Sequence, residues 1–104
     1  MAVYLGHIVG LTKPGYVGNI YRMRLKLTRR ARQHKVGLAH IEHVITTAVP
    51  MTGVRPSGDK ELSWVGLDDR GIELEIVATP DATDRAGNPV LLVIHAMPTA
   101  LRRN

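Results

Sequence analysis

Between Val90 and Met97 every residue is apolar except His95. A run of that character has no polar face to turn to water, so as a strand it must be covered on both sides and stand in the middle of a sheet. Its surroundings fit that demand. Residues 61–67 are rich in apolar and aromatic side chains, Asp68-Asp69-Arg70-Gly71 has turn chemistry, and Ile72-Glu73-Leu74-Glu75-Ile76 alternates apolar with acidic positions as a half-buried strand does. Together they predict a hairpin. The loop 79–89, with Pro80, Asp81, Asp84, Gly87 and Asn88, then leads to the central strand, and residues 51–60 allow a short strand and an exposed loop.

The first half of the chain reads differently. Arg24-Leu25-Lys26-Leu27 alternates, Thr28 is placed as an N-cap, and residues 29–35 are good helix formers, which predicts a short basic helix ending near Gly37. A second helix follows, with Leu38, Ile41, Val44, Ile45 and Ala48 on one stripe and Pro50 as its stop. Residues 1–22, interrupted by Gly10, Pro14, Gly15 and Gly18, show no clean period. They are read as an N-terminal extension, irregular or a weak hairpin, or as an upstream mis-start, with residues 23–104 forming one domain. The predicted fold class is α+β: two N-terminal helices packed on one face of a three- to four-stranded antiparallel sheet.

Composition narrows the function. A chain of 104 residues supports a single small core. The lack of cysteine excludes disulfides, thiolate zinc, iron–sulfur clusters and a cysteine nucleophile, and makes the cytoplasm the default compartment. No stretch approaches the roughly 18 apolar residues of a membrane span, and residues 1–20 lack a basic start and a small-residue cleavage site, so neither membrane nor secretion is expected. The formal charge of +5 is concentrated: Arg22, Arg24, Lys26, Arg29, Arg30, Arg32 and Lys35 fall in a segment with no acid. Such a cluster attracts nucleic acid, an anionic surface or an acidic protein, and composition alone does not choose among them or exclude a merely solvated face.

Two histidines stand out. His34 lies among cations, which favour the neutral, proton-accepting imidazole. A helix-end histidine bonded to backbone carbonyls is the plainer reading of the same residue. His95 interrupts the apolar run and by alternation shares a face with Leu91, Val93 and Met97, where a polar ring needs a partner, structural or catalytic. His40, Glu42 and His43 diverge around a helix and lack zincin spacing, so no metal site is read there. Asp59, Asp68, Asp69, Asp81 and Asp84 are assigned to turns. Arg102 and Arg103 could clamp phosphate if they fold back beside the basic segment.

The stretches Ala31-Arg32-Gln33-His34-Lys35-Val36, Ile41-Glu42-His43-Val44-Ile45, Trp64-Val65-Gly66, Ile72-Glu73-Leu74-Glu75-Ile76 and Val93-Ile94-His95-Ala96-Met97 resemble, in that order, the BrnT-like toxins of bacterial toxin–antitoxin systems, which have a RelE-type ribonuclease fold. The resemblance spans about residues 23–103. His34 matches the family's histidine, while Lys35 stands where a glycine usually follows it and Met97 where the last strand often ends in arginine. The resemblance implies cofactor-free and metal-independent RNA cleavage, with His34 and His95 as base or acid and Arg32, Lys35, Arg102 and Arg103 holding phosphate. It also implies a cognate antitoxin that covers the active face and brings the pair to DNA. Two other classes compete. A non-enzymatic basic module would bind nucleic acid or an acidic protein in a salt-sensitive way without turnover, and a small structural subunit would need no site at all. Tyr4, Tyr16 and Tyr21 all precede the predicted domain and there is no phenylalanine, which argues against a base-stacking sheet.

Overall fold

The structure is a computed structural model and describes residues 2–4 and 23–102. Apolar alternation makes most of it a sheet. In chain order the elements are β1 (Ala2–Tyr4), β2 (Arg24–Leu27), α1 (Leu38–Thr47), β3 (Met51–Val54), β4 (Lys60–Leu67), β5 (Glu73–Thr83), β6 (Pro89–Pro98) and a 3-10 turn, Thr99–Leu101. The six strands lie in the order β1-β2-β6-β5-β4-β3. β6, the apolar run, is interior, between β2 and β5. It pairs parallel with β2, Leu25 facing Leu91 and Leu27 facing Val93, while every other pairing is antiparallel.

One face of the sheet carries the core. Leu25, Leu27, Leu62, Trp64, Leu74, Ile76, Ala78, Leu91, Val93 and Ala96 are buried there against Ile41, Val44 and Ile45 of α1 and against Ala31 and Val36. These three helix residues occupy one stripe at three- and four-residue spacing, and their burial holds a helix of only ten residues that would be marginal alone. α1 comes so close to β4 that a Cβ built on Gly66 would lie 2.9 Å from the Ala48 Cβ. The indole N–H of Trp64 is buried and finds no acceptor among the described residues.

The predicted fold class needs correction. Among the described residues there is one α-helix, not two, and the sheet is mixed and six-stranded, not antiparallel with three or four strands. Residues 29–34 form successive turns rather than a basic helix. Thr28 does cap them, its Oγ1 accepting from Ala31 N at 3.1 Å, and Gln33 N and Lys35 N then bond back three residues to Arg30 O and Arg32 O. Four cations within seven positions, with no acid to pair with, offer no side-chain support for the longer hydrogen-bonded turn of an α-helix. Lys35 then ends the segment at φ 55°, the left-handed region that suits glycine. The extension is not wholly irregular, since Ala2–Tyr4 pairs antiparallel with residues 24–26. Residues 5–22 lie outside the described residues.

Two register breaks shape β5 and β6. Ala78 faces Val93 but Val77 faces His95, so Ile94 is an extra residue in β6. This bulge reverses the alternation and overturns the expected placement of His95: Leu91 and Val93 face the core, whereas His95 and Met97 face the other side with Val77 and Glu75. The second break lies between Thr79 and Ala82, where Pro80, which has no N–H to give a ladder, is accommodated.

Candidate functional site

On the sheet face opposite α1, the end of β2 and the bulge of β6 border an open cleft of about 450 Å³. Its walls are Thr28, Arg30, Arg55, Val77, Ile94 and His95. Thr28 and Arg30 come from the turns after β2, Arg55 from the β3–β4 turn, and Val77, Ile94 and His95 from the paired strands. The bulge is what delivers His95 here. His34 stands against it, the two rings edge to face with centroids 6.4 Å apart. The turns after β2 are tied to β6 at this point by a bond from Thr28 N to Val93 O at 3.0 Å.

His95 has a carboxylate partner. Its Nε2 lies 2.9 Å from Glu75 Oε2, while the other oxygen, Oε1, accepts from Arg102 Nε at 2.9 Å and Nη2 at 2.7 Å. Thr99 Oγ1 donates to Glu73 at 2.7 Å and pins the turn that carries Arg102. Partial burial raises the Glu75 pKa, but the hydrogen bonds from Arg102 and His95 outweigh it and hold the carboxyl below its ordinary range.

The structure therefore sorts the residues picked from sequence. His34 and His95 are brought together. Arg102 reaches the same neighbourhood but is engaged with Glu75. Arg32 and Lys35 line a separate depression of about 300 Å³ with Leu27, Val36 and Leu38, away from the residues of the cleft. Arg103 lies outside the described residues. Sequence reasoning passed over Arg30, Arg55, Thr28 and Glu75. Arg30 sat undistinguished in the basic run, where a short helix was expected; Arg55, isolated in a turn, gave no signal; Glu75 read only as the polar side of a strand. Neither the Arg30 nor the Arg55 guanidinium has an ion-pair or hydrogen-bond partner among the described residues.

A second cluster lies at the β4–β5 turn, beside the start of α1. His40 Nδ1 is hydrogen-bonded to Asp69 Oδ1, and the ligand atoms of His40, Asp68 and Asp69 lie within 4.8 Å of one another. The Asp68 carboxylate is already saturated: Oδ1 accepts from Arg70 N and Ile72 N, Oδ2 from the Arg70 guanidinium. It acts as the clasp of the β4–β5 turn, whose Gly71 takes φ 82°. Burial opposes its charge, but those donors together hold the Asp68 pKa down to about 2. His40 ties the start of α1 to this turn.

No family model, no curated protein and no solved structure matches the chain. Among the described residues, no helix is long and apolar enough to cross a membrane.

Proposed function

We propose that the chain is a metal-independent endoribonuclease of the toxin type, acting in the cytoplasm on RNA. One observation supports it above the rest: two histidines from distant parts of the sequence meet beside a cleft lined by two arginines whose guanidiniums have no ion-pair or hydrogen-bond partner among the described residues. The chemistry asks for that set. The 2′-hydroxyl of the substrate attacks the adjacent phosphorus as its proton passes to one imidazole. The bond from phosphorus to the 5′-oxygen breaks, and that oxygen takes a proton from the other imidazole, leaving a 2′,3′-cyclic phosphate and a 5′-hydroxyl. Rings 6.4 Å apart are close enough for both to reach one phosphodiester. His34 is assigned as base; His95, backed by a carboxylate, is assigned as acid. Arg30 and Arg55 would neutralise the pentacovalent phosphate. The reading keeps the expected histidines and moves the cationic role from Arg32 and Lys35 to Arg30 and Arg55. An acidic protein partner that covers this cleft belongs to the same proposal.

Inducible expression in a bacterial host tests it, comparing growth and RNA integrity for the wild type and the His34→Ala, His95→Ala double variant. Growth arrest and RNA loss that the double variant abolishes support the reading. Cleavage that persists unchanged refutes the assignment of the two histidines. The row of exposed cations Arg24, Lys26, Arg29, Arg30, Arg32 and Lys35 favours a second reading, a basic binding module. Salt-sensitive RNA binding by purified protein with no turnover would select it.

A further inference from the structure

The Glu75 carboxylate joins two residues of the cleft's neighbourhood, one oxygen on His95 and the other on Arg102. We infer that Glu75 is a positioning residue that fixes the tautomer and orientation of His95, and that Arg102 in turn holds Glu75. This rests on the ribonuclease reading for its catalytic consequence but not for its geometry.

An ionised carboxylate has acceptors only, so the nitrogen 2.9 Å from Oε2 must carry hydrogen. With the proton on Nε2 in both charge states, Nδ1 is the nitrogen left to exchange a proton: it donates from the imidazolium and accepts in the neutral ring. The carboxylate also offsets the positive charge that the imidazolium carries. Arg102 removes the alternative in which Glu75 swings away, because two of its nitrogens bond the same oxygen Oε1. The register makes the pairing possible. Without the extra residue Ile94 in β6, alternation from Leu91 and Val93 would turn position 95 away from this face; with it, His95 faces Val77, next to Glu75 on the neighbouring strand. Arg102, at the end of the 3-10 turn that follows β6, is brought to Glu75 by the Thr99 to Glu73 bond. Of these two residues, Glu75 had no role expected from sequence and Arg102 was expected to hold phosphate; the guanidinium is instead engaged by the Glu75 carboxylate.

The test uses the full chain labelled with 15N in its histidine rings. Above the histidine titration range, the ring spectrum of the wild type shows His95 as the Nε2–H tautomer. In Glu75→Gln, whose amide can present its NH2 instead, that preference is lost or reversed while the His34 signals keep their tautomer. Arg102→Gln, at an exposed position beyond the sheet, weakens the preference in the same direction and serves if Glu75→Gln folds poorly. In cleavage assays Glu75→Gln lowers kcat by about 10²- to 10⁴-fold, the contribution that a well-placed general acid or base makes, with KM changed less than about 3-fold. A His95 tautomer that is the same in wild type and both variants overturns the inference. A tautomer that shifts as stated in a chain that cleaves no RNA supports the positioning role and refutes the ribonuclease reading. Equal losses of kcat in Glu75→Gln with an unmoved tautomer overturn the inference and leave that reading standing.

Discussion

Lys35 sits at φ 55°, the one non-glycine residue with positive φ among the described residues. The conformation puts its Cβ too near the following carbonyl, a cost of about 1–2 kcal/mol for an L-residue. Glycine avoids that cost but surrenders about 0.5–1 kcal/mol more conformational freedom on folding. Lys35→Gly should therefore be more stable than the wild type by about 0.5–1 kcal/mol, which for a domain of this size raises Tm by roughly 2–6 °C. The side chain contributes little to the balance, because it is exposed and forms no ion pair among the described residues. Lys35→Ala isolates the backbone effect: it loses the same charge and keeps the Cβ. At an ordinary position alanine would beat glycine by about 0.5–1 kcal/mol, so the order of the two variants carries the test. Thermal unfolding followed by circular dichroism at one pH and salt concentration decides it. A glycine variant that melts at or below the alanine variant refutes the strain argument and with it the explanation of why the turns after β2 stop at this residue.

Gly66→Ala should destabilise by about 1–3 kcal/mol despite the usual gain from replacing glycine in a strand, because the new methyl meets Ala48 at 2.9 Å and must push α1 away; Ala48→Gly in the same chain should restore part of the loss in a denaturant titration. Stability should fall as pH drops below about 4. Asp68, with its folded pKa near 2, and Asp69 and Glu75, held below their ordinary ranges, stay ionised in the folded state after the unfolded chain has begun to take up protons, so their contribution is full above the unfolded values and is lost as pH falls through the folded ones. Asp68→Asn should flatten that acid limb, measured as Tm from pH 7 to pH 2. On the ribonuclease reading, Arg30→Ala and Arg55→Ala should each weaken binding of a single-stranded RNA oligomer and reduce the salt slope of log affinity by about 0.7, with Arg32→Ala changing it less, as read by fluorescence anisotropy.

The parts of the fold that were legible in sequence are those whose signal is local. The stripe Ile41, Val44, Ile45 marks a helix because burial at three- and four-residue spacing admits little else, and the clasp at Asp68 follows from turn chemistry within five residues. The basic segment misled because propensity and an N-cap were both present, and the cap does form; the deciding features were unpaired like charges and a left-handed residue, neither of which propensity weighs. The parallel pairing of β2 with β6 joins residues more than sixty positions apart, and an alternating tetrapeptide carries no mark of which strand it will meet.

His95 shows most clearly where such reading stops. Alternation assigns a residue to a face only while the ladder is unbroken, and one extra residue inverts every assignment beyond it. Counting in twos from Leu91 puts His95 in the core, among groups that cannot satisfy an imidazole. That contradiction was itself a signal. A polar ring at a position that alternation calls buried requires either a polar partner inside the core or a break in register before it. The chain uses the break, and the same step that spares the core from an imidazole sets His95 beside Glu75 and against His34. The bulge thus accounts for both the failure of the face assignment and the existence of the candidate site.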